Sequence, residues 1–143
     1  MPQALDIRPI GPADIALTGR LDPRIAANQR QQDHLSELLG AGLSWAAFAG
    51  EAEVGFAIVT RHFFGHAFID LLFVAEAQRR SGAGSALMAR CVDAATGDRV
   101  FTSTNESNAP MRALLAKAGW LPAGMVDYLD PGDPELILVK LRA

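Results

Sequence analysis

Residues 68–90 read FIDLLFVAEAQRRSGAGSALMAR, and two periodicities meet within them. An apolar run over residues 69–74 has the length and composition of a buried strand. From Ser85 the apolar positions change period, with Leu87, Met88, Cys91, Val92 and Ala95 at helical spacing, so a helix is expected from about Gly84 to Ala95. The link between them is Arg79-Arg80-Ser81-Gly82-Ala83-Gly84. Glycines at a strand-to-helix turn let backbone N–H groups approach a ligand closely. A helix start adds unpaired donors and a partial positive charge. The combination is an anion site, for which phosphate is the usual guest. Arg79 and Arg80 can add charge-assisted contacts to the same oxygens. A Walker A loop is excluded, because no Gly-x-x-x-x-Gly-Lys-Ser/Thr run exists. The dinucleotide fingerprint is also excluded, since Leu87 stands where its third glycine belongs.

Outward from this stretch the chain reads as a single domain over residues 1–143. Residues 4–9 alternate and end at a proline, as a strand would. Residues 12–43 are helical in parts, forming one long or two short helices, with Asp22 placed to cap a helix opened by Pro23. Residues 44–49, 54–60 and 67–74 are three strands of an antiparallel run. Residues 99–102 make a short strand. Asn108 caps a helix over residues 108–118, stopped by Gly119. Residues 125–129 and 136–141 read as a final strand pair around an Asp-Pro-Gly-Asp-Pro turn. The order is that of a mixed α/β domain.

Composition narrows the function. Half the residues are hydrophobic and 20% are charged, so a packed core is expected and disorder is not. A net charge of −3 argues against a surface that grips nucleic acid, although eleven of the thirteen basic residues are arginines. The longest uncharged run, residues 38–50, is 13 residues, short of the roughly 20 that span a bilayer. Asp6 and Arg8 interrupt what a secretory leader would need as its apolar stretch, so a cytoplasmic location is expected. The lone cysteine, Cys91, excludes an internal disulfide and any multi-cysteine zinc site.

Val74 followed by Arg79, Gly82 and Gly84 resembles motif A of the GNAT superfamily of N-acetyltransferases, Val-x-x-x-x-Gln/Arg-x-x-Gly-x-Gly/Ala. A second motif of that family, an asparagine followed later by Leu-Tyr-x-Lys-x-Gly-Phe, resembles Asn108, Leu114, Lys117 and Gly119 with Trp120 in the aromatic place. The sequence departs from the family at Glu76 (often proline), Arg80 (often glycine) and Leu115 (often tyrosine). The resemblance implies a GNAT fold: a mixed, mostly antiparallel sheet flanked by helices, with splayed central strands. It implies acetyl-coenzyme A as donor, with no metal, and an amine as acceptor. The amides of Arg79, Arg80, Ser81, Gly82, Ala83, Gly84 and Ser85 would cradle the pyrophosphate. The strand at Leu72, Phe73 and Val74 would pair with the pantetheine arm, and the Val74 amide would polarise the thioester carbonyl. Asn108 would contact the coenzyme, or act only as a helix cap.

Two proton transfers are required. Asp70 is the candidate base, since strand alternation puts it on the face of Val74 and burial would raise its pKa; pairing with backbone amides or an arginine is the structural alternative. Glu106 and His66 are weaker candidates. With Leu115 in the tyrosine place, the thiolate proton would come from Tyr128, the sole tyrosine, from water, or from the departing ammonium. His62 and His66 flank a turn, which argues against a metal pair. His34 reads as a helix-surface residue that could face substrate. Cys91, Trp45 and Phe56 read as core. Phe63 and Phe64 could line the acceptor site or a homodimer contact. The short, apolar chain favours a small-molecule amine. The alternatives are a protein or peptide acceptor, a non-catalytic acyl-coenzyme A module, and a nucleic-acid-binding domain resting on the arginine pair alone.

Overall fold

A computed structural model describes residues 4–142. Seven strands form one sheet in the order β1-β2-β3-β4-β5-β7-β6. They are β1 (Leu5–Ile10), β2 (Leu43–Ala49), β3 (Ala52–Phe63), β4 (His66–Val74), β5 (Arg99–Asn105), β6 (Leu121–Val126) and β7 (Glu135–Leu141). All neighbours are antiparallel except β4 and β5, which run parallel. The expected mixed, mostly antiparallel architecture is observed.

Residues 12–43 contain three helices, α1 (Ile15–Leu21), α2 (Pro23–Ala26) and α3 (Gln29–Ala41), where one or two were expected. The break after Leu21 is the cap already legible at Asp22, whose carboxylate accepts the Arg24 amide at 3.0 Å. The break before Gln29 is a second cap, Asn28, whose side chain accepts the Gln31 amide. These helices cover one face of the sheet, packing Leu17, Leu35, Leu38 and Leu39 on Phe56 and Ile58. The other face is covered by α4 (Ala83–Ala94), with α5 (Ala109–Lys117) beside it. There Leu87, Met88, Cys91, Leu115 and Trp120 pack on Val54, Ala57 and Val100. Trp45 and Phe56 are core residues, as expected.

The second strand of the final pair lies where it was expected, as β7, but the first is displaced. Strand β6 is Leu121–Val126, and residues 127–129 lie beyond it. Pro122 and Gly124 disguise this strand; the pairing with β7 slips between them, and every β6 residue is exposed at the sheet edge. One glycine sets the spacing between layers. A Cβ on Gly55 would lie 2.6 Å from the Phe73 carbonyl oxygen and 3.2 Å from Leu87 Cδ1. Its bare backbone lets β3, β4 and α4 meet at the end of the sheet where the site is built.

Candidate active site

Strands β4 and β5 pair only over Ala67–Ile69 and Val100–Thr102. Thr102 Oγ1 donates to the Ile69 carbonyl at 3.0 Å, the last tie before the strands part. Beyond it β5 pairs with β7 on its other side up to Asn105, and residues 71–74 of β4 have no partner on the β5 side. A wedge therefore opens between two parallel strands in the centre of the sheet.

A bulge decides which groups line this wedge. Ile58 pairs with Leu71 and Val59 with Ile69, so Asp70 has no partner on β3. One extra residue shifts the alternation of the strand. Before it, Ala67 and Ile69 face the α4 side; after it, Leu72 and Val74 do, while Leu71 and Phe73 face α1–α3. The backbone follows the same shift. The Ala75 amide donates to the Val54 carbonyl on β3 at 2.9 Å. Successive N–H groups point to opposite sides of a strand, so the Val74 N–H points into the wedge, as does that of Leu72. Phe73 turns its backbone polar groups towards β3, consistent with its carbonyl lying under Gly55.

Asp70 sits on the α1–α3 side with Thr60, whose hydroxyl is 2.5 Å from Asp70 Oδ1. The expectation that Asp70 shares a face with Val74 is therefore corrected: the bulge separates them. Asp70 is half-buried, and its carboxyl is pushed above the ordinary carboxylate value by desolvation. The Thr60 hydrogen bond and the nearby His62 and His34 oppose that shift. No arginine pairs with it among the described residues. His34 is thus brought to the side of α3 that acts on Asp70, a relationship its sequence position did not disclose.

Beyond Val74 the chain passes through a short turn, Glu76–Gln78, into the glycine loop. Arg80 has φ +71° and Gly82 φ +89°. Arg80 thus takes a left-handed backbone that glycine would adopt without strain. Arg79 and Arg80 are exposed and make no ion pair among the described residues. Helix α4 starts at Ala83, close to the start expected near Gly84, and its N-cap, Gly82, has no capping side chain. The Ala86 amide is the first to bond back, to the Gly82 carbonyl. Amides of Arg80, Gly82, Gly84 and Ser85 meet no acceptor among the described residues. Those of Arg79, Ser81 and Ala83 are held by long bonds of 3.2–3.3 Å to Glu76, Gln78 and the Ser81 hydroxyl. A Cβ on Gly84 would sit 3.2 Å from Leu114 Cδ2 and 3.7 Å from Val74 Cγ2, so this glycine docks the helix start against β4 and α5.

Asn108 is an observed helix cap, its Oδ1 accepting the Met111 amide at 3.3 Å. Leu115 is fully buried, with no polar atom to offer the site. Tyr128 is 98% exposed on the loop after β6. Burial pushes the Cys91 thiol up to about 12, which leaves no thiolate for nucleophilic work. His62, His66 and Glu106 are exposed, and no cluster of three or more metal-ligating side chains forms among the described residues. Phe63 stacks on Phe68 at 5.1 Å and meets Phe101 at 4.8 Å, and Phe64, 89% exposed, meets the Phe63 ring edge-on at 5.0 Å.

The loop joining β6 and β7 was not singled out from the sequence beyond its turn. Asn105 Nδ2 donates to Asp130, and the Ser107 hydroxyl donates to Asp133 at 2.6 Å. These bonds tie the loop to the C-terminal end of β5, the end at which the wedge opens. A hollow of about 530 Å³ lies within it, lined by Asp127, Tyr128, Asp130 and Asp133 among others. Three aspartates at three-residue intervals after Val126, Asp127, Asp130 and Asp133, were the available signal.

The fold and site together define an α/β domain in which an uncapped helix start stands beside an open strand edge. Residues 16–120 match the family model of the acetyltransferase (GNAT) family, and the chain belongs to that family. Its structure is similar to that of a GNAT-family acetyltransferase from Bacillus cereus ATCC 10987 (24% identity, TM-score 0.86, covering 98% of this chain and 99% of that one). It is also similar to the ribosomal-protein-S18-alanine N-acetyltransferase of Escherichia coli (17% identity, TM-score 0.82, 98% and 95% covered). A third similar structure is Arabidopsis thaliana NAA60 in complex with acetyl-CoA (18% identity, TM-score 0.79, 96% and 99% covered). Among curated proteins no sequence match is found.

Proposed function

We propose that this protein is an N-acetyltransferase that moves the acetyl group of acetyl-coenzyme A to the primary amine of a small molecule by direct attack. The observation that carries the reading is the pairing of an open β4 edge with a loop of free amides at its end. Acetyl-coenzyme A supplies an acyl group already activated as a thioester. The free amides of Arg80, Gly82, Gly84 and Ser85 are the donors suited to its pyrophosphate, with Arg79 and Arg80 adding charge. The Ser81 hydroxyl and the Ala83 turn shape that loop. Leu72 and Val74 offer their backbone edge to the pantetheine arm as a strand would. The Val74 N–H stands ready to polarise the carbonyl under attack. Asn108 orders the start of α5 at the same end of the sheet.

Asp70 serves as the base. Its raised proton affinity suits removal of a proton from an ammonium, and its place on the α1–α3 side has it act from there, through water. As the C–S bond breaks, the thiolate takes its proton from water or from the cationic nitrogen of the tetrahedral intermediate, which becomes the amide, since Leu115 has none to give. The carboxylates of the loop after β6 complement a cationic acceptor. We place the reaction in the cytoplasm, where an acyl-coenzyme A donor is available.

The test is mass spectrometry of a panel of primary amines incubated with acetyl-labelled coenzyme A. An acetylated small amine is expected. Acetylation confined to peptide N-termini would replace the small-molecule reading with a peptide one.

A further inference from the structure

Thr60 Oγ1 accepts the His62 amide at 3.2 Å and stands 2.5 Å from Asp70 Oδ1. A hydroxyl carries one proton. The His62 N–H takes one of the hydroxyl's lone pairs, and an ionised carboxylate can only accept, so Thr60 donates that proton to Asp70 Oδ1 while the carboxyl is ionised. Two irregularities in the β3–β4 pairing create the arrangement. The bulge at Asp70 swings its carboxylate towards β3. A second, between Thr60 and Phe63, frees the His62 amide to turn back on Thr60. Thr60 is buried and Asp70 half-buried, so Oδ1 is anchored in the protein while Oδ2 has no partner among the described residues.

Resting on the reading of Asp70 as the base, we propose that Thr60 is a positioning residue: it anchors Asp70 Oδ1 and leaves Oδ2 to take the proton of the acceptor amine through water. A hydrogen bond to the ionised form favours that form, so Thr60 works against the desolvation of Asp70. The other groups acting on Asp70 are His62 of β3 and His34 of α3, each favouring the carboxylate when cationic, and the backbone amide of Asp70 itself on β4, which also favours the carboxylate.

The experiment compares the full chain with Thr60→Val, which keeps the shape and removes the donor, and with Thr60→Ser, which restores it. Two readouts are followed against pH: the carbon-13 carboxyl shift of Asp70, and kcat/KM for acetylation. In Thr60→Val, Asp70 is expected to titrate at higher pH, and kcat/KM on the acid limb to fall about tenfold. Coenzyme affinity should stay unchanged, and Thr60→Ser should resemble the parent. Thr60→Ala serves the same comparison should valine prevent folding. If Asp70 titrates identically in parent and variant, the positioning role is overturned. If the carboxyl titration moves and the rate profile does not follow, the Thr60 contact stands and the base assignment of Asp70 fails.

Discussion

Asp70 and Val74 lie on opposite faces of β4, four residues apart on a strand whose unbroken alternation would put them together. The bulge that separates them also turns the Val74 N–H into the wedge. One inserted residue thus separates the two groups proposed for the chemistry: the Val74 amide faces the parted strands, and the Asp70 carboxylate faces α1–α3.

Replacement of Asp70 by Asn is expected to lower turnover about a hundredfold, with little change in coenzyme affinity. The same change should stabilise the fold at neutral pH. The folded carboxyl has a higher pKa than its ordinary value of 3.8, so it contributes most below that value and loses its contribution as pH rises through the folded pKa. Urea denaturation at neutral and acid pH checks both signs: Asn should gain on the parent at neutral pH and not below the unfolded carboxyl's range.

Gly82→Glu should remove coenzyme binding. Its Cβ meets nothing within 4 Å, so the substitution is not blocked by packing. The backbone cost comes from φ +89°, about 1–2 kcal/mol for a residue with a Cβ; binding is lost because the carboxylate competes for the free amides and repels the pyrophosphate. Calorimetric titration with acetyl-coenzyme A is expected to show at least tenfold weaker binding, with the fold retained.

Arg80→Gly separates charge from backbone. Glycine relieves the left-handed strain at φ +71°, so thermal stability should hold or rise by about 1 kcal/mol. Coenzyme affinity should fall several-fold at low salt, and the difference from the parent should shrink as salt is added. A salt-independent loss would mean that the Arg80 side chain acts through shape.

Leu115→Tyr installs the family's frequent residue at a fully buried position. Overpacking there is expected to cost about 1–3 kcal/mol, without faster turnover. Denaturation and steady-state rates check the two halves; a gain in rate would show that a phenol reaches the leaving thiolate.

The strands β2, β3 and β4, the glycine loop and α5 were legible because each rests on local chemistry: alternating apolar runs, Gly82 and Gly84, and Asn108 before Pro110. What was not legible depends on pairing. Nothing in Phe68-Ile69-Asp70-Leu71 marks Asp70 as unpaired, since a bulge is a property of two strands. The insertion of β7 between β5 and β6 is likewise set by partners distant in sequence. Strand β6 hid behind Pro122 and Gly124, which read as loop and are tolerated because the strand is an exposed edge. His34 comes within electrostatic range of Asp70 only through the packing of α3 on the sheet.

Release of coenzyme A thiol from acetyl-coenzyme A, followed with and without primary amines in the parent and in Gly82→Glu, tests most directly whether this cleft carries out acetyl transfer. Amine-dependent release in the parent and its loss in Gly82→Glu are expected. Tight coenzyme binding with no amine-dependent release across a broad panel would contradict the account and make the domain an acyl-coenzyme A-binding module.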